Sequence, residues 1–216
     1  MTGRWADGRT GGQIAAIMVM LSVSPSTRLP AQVSFHISLG ARYTTTLVHD
    51  SVVAPFDLRP AIAPALLVTV RGELKPGWSA DGTVDVTPSS LRRHEASGTF
   101  DAGSFAALAF TVGLRREISW GLSARAGIGA LKYVAAQTGL FREGSGGLFP
   151  LGTLAATFTP RFGAHRRLAF EARYDLHRFI TPAMRTHGFV DSRRVHRIAL
   201  LVRLGWAAGG TGQPTP

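Results

Sequence analysis

Cysteine is absent from this chain of 216 residues. That excludes disulfide staples and thiolate metal sites, and leaves the compartment open. Asparagine is absent too, so there are no Asn-Gly hairpin turns and no N-glycosylation acceptor. Lysine is nearly missing: Lys75 and Lys132 stand among 24 basic residues, and the rest are arginine. Acids number 13, which leaves a formal net charge of +11. Such a balance raises nucleic acid as a partner. The arginines, however, are scattered singly or in pairs along the whole chain, a pattern that argues against a nucleic-acid footprint. No apolar run approaches the roughly 20 residues that a membrane-spanning helix needs.

What is present begins with a layered N-terminus. "MTGRWADGRTGGQ" carries Arg4 and Arg9, "IAAIMVMLSV" is an apolar run, and "SPSTRLPAQ" supplies small residues and proline. This is the layout of a secretory signal peptide, cut after Ser26 or Ala31. The expected organisation is a signal peptide over 1–31, a body over 32–207 and a flexible tail over 208–216.

Within the body, hydrophobicity alternates with period two, which predicts strands. Phe170, Ala172, Tyr174 and Leu176 face away from Glu171, Arg173, Asp175 and His177. The same alternation recurs near 35–43, 66–73, 78–87, 105–114, 120–129, 153–162 and 197–206. Eight strands of a length that can cross a bilayer result. The fourth is the least clear, because both of its faces are fairly apolar. Connections alternate between short ("KPG", "RREIS", "GAHRR") and long ("PSSLRRHEASGTFDAG", "QTGLFREGSGG"). In an up-and-down meander this leaves one trimmed end and one shaggy end. Trp78, Trp120 and Trp206, with Phe35, Phe162 and Phe170, fall on the apolar parity at the trimmed end, where a membrane-interface girdle belongs.

The polar parity carries Arg42, Arg71, Arg125, Arg173, Arg197 and Arg203 against Glu73, Asp81, Asp85, Glu171 and Asp175, with His177 beside them. Gly40, Gly127, Gly129 and Gly205 lie between. Small residues make room for arginine and carboxylate side chains to cross a narrow lumen and pair. Turned toward lipid, each mid-membrane arginine would cost about 2–4 kcal/mol. The expected architecture is therefore all-β: an eight-stranded antiparallel up-and-down transmembrane β-barrel with short periplasmic turns, long extracellular loops, a charge-packed interior and little or no pore.

On these residues, and on a last strand "HRIALLVRLGW" ending in an aromatic, the chain resembles the small eight-stranded outer-membrane barrels of the opacity-protein type and the transmembrane domain of outer membrane protein A. The resemblance spans Val33 to Trp206. Such barrels usually end the chain at that aromatic, whereas here "AAGGTGQPTP" follows. The resemblance implies a monomeric structural or surface-interaction protein in a Gram-negative outer membrane, without catalysis or cofactor.

Other chemistry is weaker. "GIGALK" lacks the third glycine of a phosphate loop. The seven histidines show no metal-ligand spacing, although His187 and His196 fall near one long link. Asp191, Ser192 and His196 hold the residue types of a hydrolytic triad, which would make the chain a lipid-modifying enzyme. A soluble lipocalin-like barrel is the other alternative: there Leu122, Ile128, Leu200 and Val202 would line a ligand cavity. The paired cations Arg92 with Arg93, and Arg193 with Arg194, sit at the shaggy end as possible contacts for lipopolysaccharide phosphates.

Overall fold

The structure is a computed structural model that describes residues 33–50, 55–135, 147–160, 168–181, 184–185 and 192–207. The segment read as a signal peptide, the tail and Phe162 lie outside the described residues.

Ten strands are present among them: β1 (Val33–Thr44), β2 (Val48–Asp50), β3 (Phe56–Pro60), β4 (Ala63–Lys75), β5 (Trp78–Glu95), β6 (Gly98–Glu117), β7 (Leu122–Ala135), β8 (Leu148–Phe158), β9 (Leu168–Phe179) and β10 (Arg193–Ala207). Eight of these close a ring in the order β5-β4-β1-β10-β9-β8-β7-β6, and β6 returns to β5. Every neighbouring pair is antiparallel. The first and last strands meet along eleven registered pairs, from Ser34↔Ala207 to Thr44↔Arg197. No edge in the ring's middle is left unpaired, which is how a barrel escapes edge-to-edge aggregation.

The two extra strands refine the expected loops. The first long link folds into the β2–β3 hairpin, and β3 pairs with the far end of β5. The second long link is no loop at all: β5 and β6 run past the barrel as one hairpin, turning at Ala96 and Ser97. Arginine, serine and glycine there look like loop chemistry in sequence. They are held as strand because β3 supplies a third partner. Ser90 to Glu95 alone rises about 20 Å at roughly 3.3 Å per residue.

The two described turns at the other end are tight. Pro76 and Gly77 join β4 to β5, and Gly77 has φ +75°, the geometry of a type II turn with proline leading. Between β6 and β7, Leu122 donates to the Ser119 carbonyl at 2.8 Å, and Trp120 and Gly121 have φ of +58° and +78°. That is a primed turn, in which tryptophan occupies a position usually left to Asn, Asp or Gly. Trp120 therefore does not sit on a strand face, as its parity suggested.

Burial alternates along all eight ring strands with the apolar parity outward. Ile128 is 70% exposed and Leu200 67%, and exposed aliphatics recur around the ring on β1, β4, β6 and β8. A continuous apolar outer surface of this kind is a membrane-facing belt. Inward glycines let the wall close. An ideal Cβ on Gly129 would stand 2.0 Å from the Phe110 carbonyl oxygen. Gly129→Ala should accordingly lower stability by about 1–3 kcal/mol, read as a lower temperature at which the folded band disappears from an unboiled gel.

Candidate functional site

The interior is stacked in three tiers. The lowest, nearest the short turns, gathers Asp81, Arg115, Arg125, Glu171 and Arg203, all buried. Arg125 donates from Nε to Asp81 at 2.6 Å and from Nη2 to Thr111 at 3.2 Å. Arg115 donates to Ser123 at 2.9 Å, Thr157 at 2.5 Å and Glu171 at 3.3 Å. Arg203 donates to Glu171 from the opposite side. The partners come from β5, β6, β7, β8, β9 and β10, so the contacts cross the lumen.

The middle tier holds Arg42, Asp85, Arg173, Asp175 and Arg197. Arg42 donates to Asp85 and, at 3.0 Å, to Thr87. Arg173 donates from Nε to Asp175 at 2.8 Å and from Nη2 to Thr111 at 3.2 Å, so Thr111 ties the two charged tiers together. Arg197 lies 3.8 Å from both Asp85 and Asp175.

Above them the chemistry changes. Leu131, Tyr133, Phe149, Phe179 and Val195 form a buried apolar plug at the loop end, joined by Leu47, Val48 and Leu58 from the first link. Tyr133 stacks on Phe105 at 4.8 Å and meets Phe179 edge-on at 5.6 Å. The seam is one buried hydrogen bond of 2.8 Å between the Tyr133 hydroxyl and His177 Nε2. A charge-packed interior was expected, and the two lower tiers have it. Its upper third is instead apolar, because β6 and β7 turn Phe105, Ala107, Leu131 and Tyr133 inward. That is also why the fourth predicted strand reads as apolar on both faces.

Ten of the twelve residues named for the lumen are buried there: Arg42, Asp81, Asp85, Arg125, Glu171, Arg173, Asp175, His177, Arg197 and Arg203. Arg71 is half-buried and Glu73 is exposed. Glu73 has the inward parity, but it lies past Gly72, the last β4 residue registered against β1 among those described. The sequence reading missed Arg115, which it placed in a turn. β6 runs on to Glu117, and Arg115 shares the inward parity of Thr111, a signal that was available. The near balance of six cations and five anions becomes six fully buried arginines and four carboxylates.

The aromatics at the short-turn end fall as follows. Phe35, Phe170 and Trp206 are exposed on the outer wall, and Phe35 pairs directly with Trp206. Trp78 is half-buried between Lys75 and Arg116, whose charges lie 5.6 and 5.4 Å from its ring. Trp120 projects from its turn.

At the loop end, Arg92 and Arg194 are exposed on the outer face. Each stands directly opposite another exposed arginine, Arg59 and Arg178 respectively. Arg93 is engaged with Glu95 and lies 4.4 Å over the Phe56 ring, and exposed Arg193 is on the other face. His196 Nδ1 is 2.6 Å from the Tyr174 hydroxyl. Asp191 and His187 lie outside the described residues, and no group of three metal-ligating side chains occurs among those described.

The described ring strands form a closed eight-stranded antiparallel barrel with an apolar outer wall. Three solved structures of bacterial membrane or surface proteins have a similar shape. Ail of Yersinia pestis, in complex with the heparin analogue sucrose octasulfate, has 15% identity and a TM-score of 0.48 over 81% of this chain and 99% of its own. OprG of Pseudomonas aeruginosa has 9% identity and a TM-score of 0.47 over 82% of this chain and 98% of its own. The neisserial surface protein NspA has 6% identity and a TM-score of 0.46 over 80% and 96%. No family model matches the sequence, and no curated protein does. The closed ring and its apolar-outward orientation rest on this chain's own register and burial.

Proposed function

We propose that this chain is an exported, monomeric surface protein of a Gram-negative outer membrane, without catalysis, whose barrel anchors an extracellular platform built from β2, β3 and the extended β5–β6 hairpin. One observation carries the reading. The outer wall is apolar while the interior is filled by buried charge below and an apolar plug above. The first half of that pattern suits lipid, and the second, among the described residues, fills the lumen against passage of solute. Function then falls to what stands above the membrane. The inward arginines also run against a lipocalin-like reading, which needs Leu200 and Val202 inside; both are exposed.

At the loop-side edge of the belt, the opposed pairs Arg178↔Arg194 and Arg59↔Arg92 face outward. Like charges directly across a strand pair repel. A phosphate between two guanidinium groups turns that repulsion into charge-assisted hydrogen bonds, and outer-leaflet lipopolysaccharide offers phosphate at that depth.

Two experiments test the reading. The membrane fraction, run boiled and unboiled, should show a mobility shift, with the protein in the outer membrane. Purified barrel should give no stable conductance steps in a planar bilayer. Protein recovered soluble from the periplasm, or a steady ohmic pore, would overturn the corresponding half. Replacing Arg178 and Arg194 together by serine should weaken lipopolysaccharide retention by about tenfold, the scale of one lost charged hydrogen bond. Unchanged retention would remove the phosphate role.

A further inference from the structure

The middle tier is short of negative charge. Among the described residues, Arg42, Arg173 and Arg197 face only Asp85 and Asp175. Arginine does not lose its proton in proteins, so the tier carries one uncompensated positive charge at a depth where that is expensive. The surplus is localised. Asp85 is taken by Arg42 and Thr87, and Asp175 Oδ1 by Arg173. Arg197 is left 3.8 Å from each carboxylate, beyond hydrogen-bond reach, and none of its three guanidinium nitrogens makes a hydrogen bond. Its side chain is fully buried. Arg42 Nε and Nη2, Thr153 Oγ1, His177 Nδ1 and Asp175 Oδ2 are likewise buried without hydrogen-bond partners, Asp175 Oδ2 lying 3.5 Å from Arg42 and 3.8 Å from Arg197. Thr153, Asp175, Arg197 and Thr44 sit side by side in register across β8, β9, β10 and β1, so these groups converge on one level.

We propose that the middle tier holds one small inorganic anion, of the halide class, against the Arg197 and Arg42 guanidinium groups. Water could supply acceptors to these donors but not the missing charge. An eight-stranded barrel is filled by its own side chains, which excludes a bulky organic anion. The lower tier also has more arginine than carboxylate, but it lies next to the short-turn end, where half-buried Arg71 reaches water. The middle tier is capped by the apolar plug and must be neutralised from within.

The test uses the whole barrel, refolded into detergent with sodium gluconate as the only salt and with sodium bromide substituted for it at constant ionic strength before folding. The midpoint temperature of the gel-mobility transition should rise with bromide and saturate, and chloride should act alike. Arg197→Gln, which removes the surplus charge, should match or exceed the parent in gluconate and ignore bromide. A flat parental curve, or an equal rise in Arg197→Gln, would overturn the proposal. Crystals of the parent grown in bromide decide independently of whether the variant folds. An anomalous peak beside Arg197 supports the site, and its absence overturns it.

Discussion

Asp85→Ala is expected to prevent recovery of the folded barrel at ordinary denaturant concentrations. Asp85 accepts from Arg42 and Thr87 and faces Arg197. Without it, three buried arginines share the single carboxylate of Asp175. Stranding a buried charge in this way costs about 3–5 kcal/mol, a large share of the roughly 5–15 kcal/mol by which a folded domain is stable. A second change separates charge from packing: Asp85→Ala with Arg42→Met removes both partners and leaves an apolar side chain of similar length. Much of the loss should be recovered, because a well-packed apolar replacement is often neutral relative to a buried pair. Urea titrations read by the unboiled gel band give the three midpoints. An Asp85→Ala barrel as stable as the parent would mean that the carboxylate does not hold the tier together.

Leu200→Arg should block folding into lipid vesicles. Leu200 is at the middle of β10, points outward and is registered against Ala41 and Ala172 on the neighbouring strands. An arginine at the bilayer midplane of a barrel costs about 2–4 kcal/mol, whereas Leu200→Ala only thins the belt. The folding yield into vesicles should fall steeply for the first and slightly for the second. Equal yields would mean that this wall does not meet hydrocarbon.

Period two carried most of the architecture. Wherever one parity was apolar and the other held Arg, Asp, Glu or Thr, as in β9 and β10, a local pattern was enough to assign the faces. It failed where the physics is not local. Nothing near Arg92 or Thr99 announces a strand; Arg92 is held by β3, which arrives from about 35 residues upstream, and Thr99 by His94 across the hairpin. Arg115 was lost because a strand end was drawn at Leu114, three residues before Glu117, a common error at boundaries. The apolar plug escaped notice because an inward Phe105 or Tyr133 is indistinguishable in sequence from an outward one. Arg42 with Asp85 and Asp175, and Arg115 with Glu171, meet across walls that no local pattern brings together.

That crossing of the lumen bears on how the protein comes into being. Arg42 on β1 meets Asp85 on β5 and Asp175 on β9, and Arg115 on β6 meets Glu171 on β9. None of these contacts lies between strands adjacent in the ring. A flat, partly assembled sheet would hold each of these arginines away from an acid it meets across the lumen, on a surface that hydrocarbon rejects. Zipping strand by strand through the bilayer would therefore be uphill until the sheet curls shut. Assembly should then behave as a single concerted event, with the inner charges kept hydrated until the seam shuts and an insertion pathway that tolerates no half-built wall.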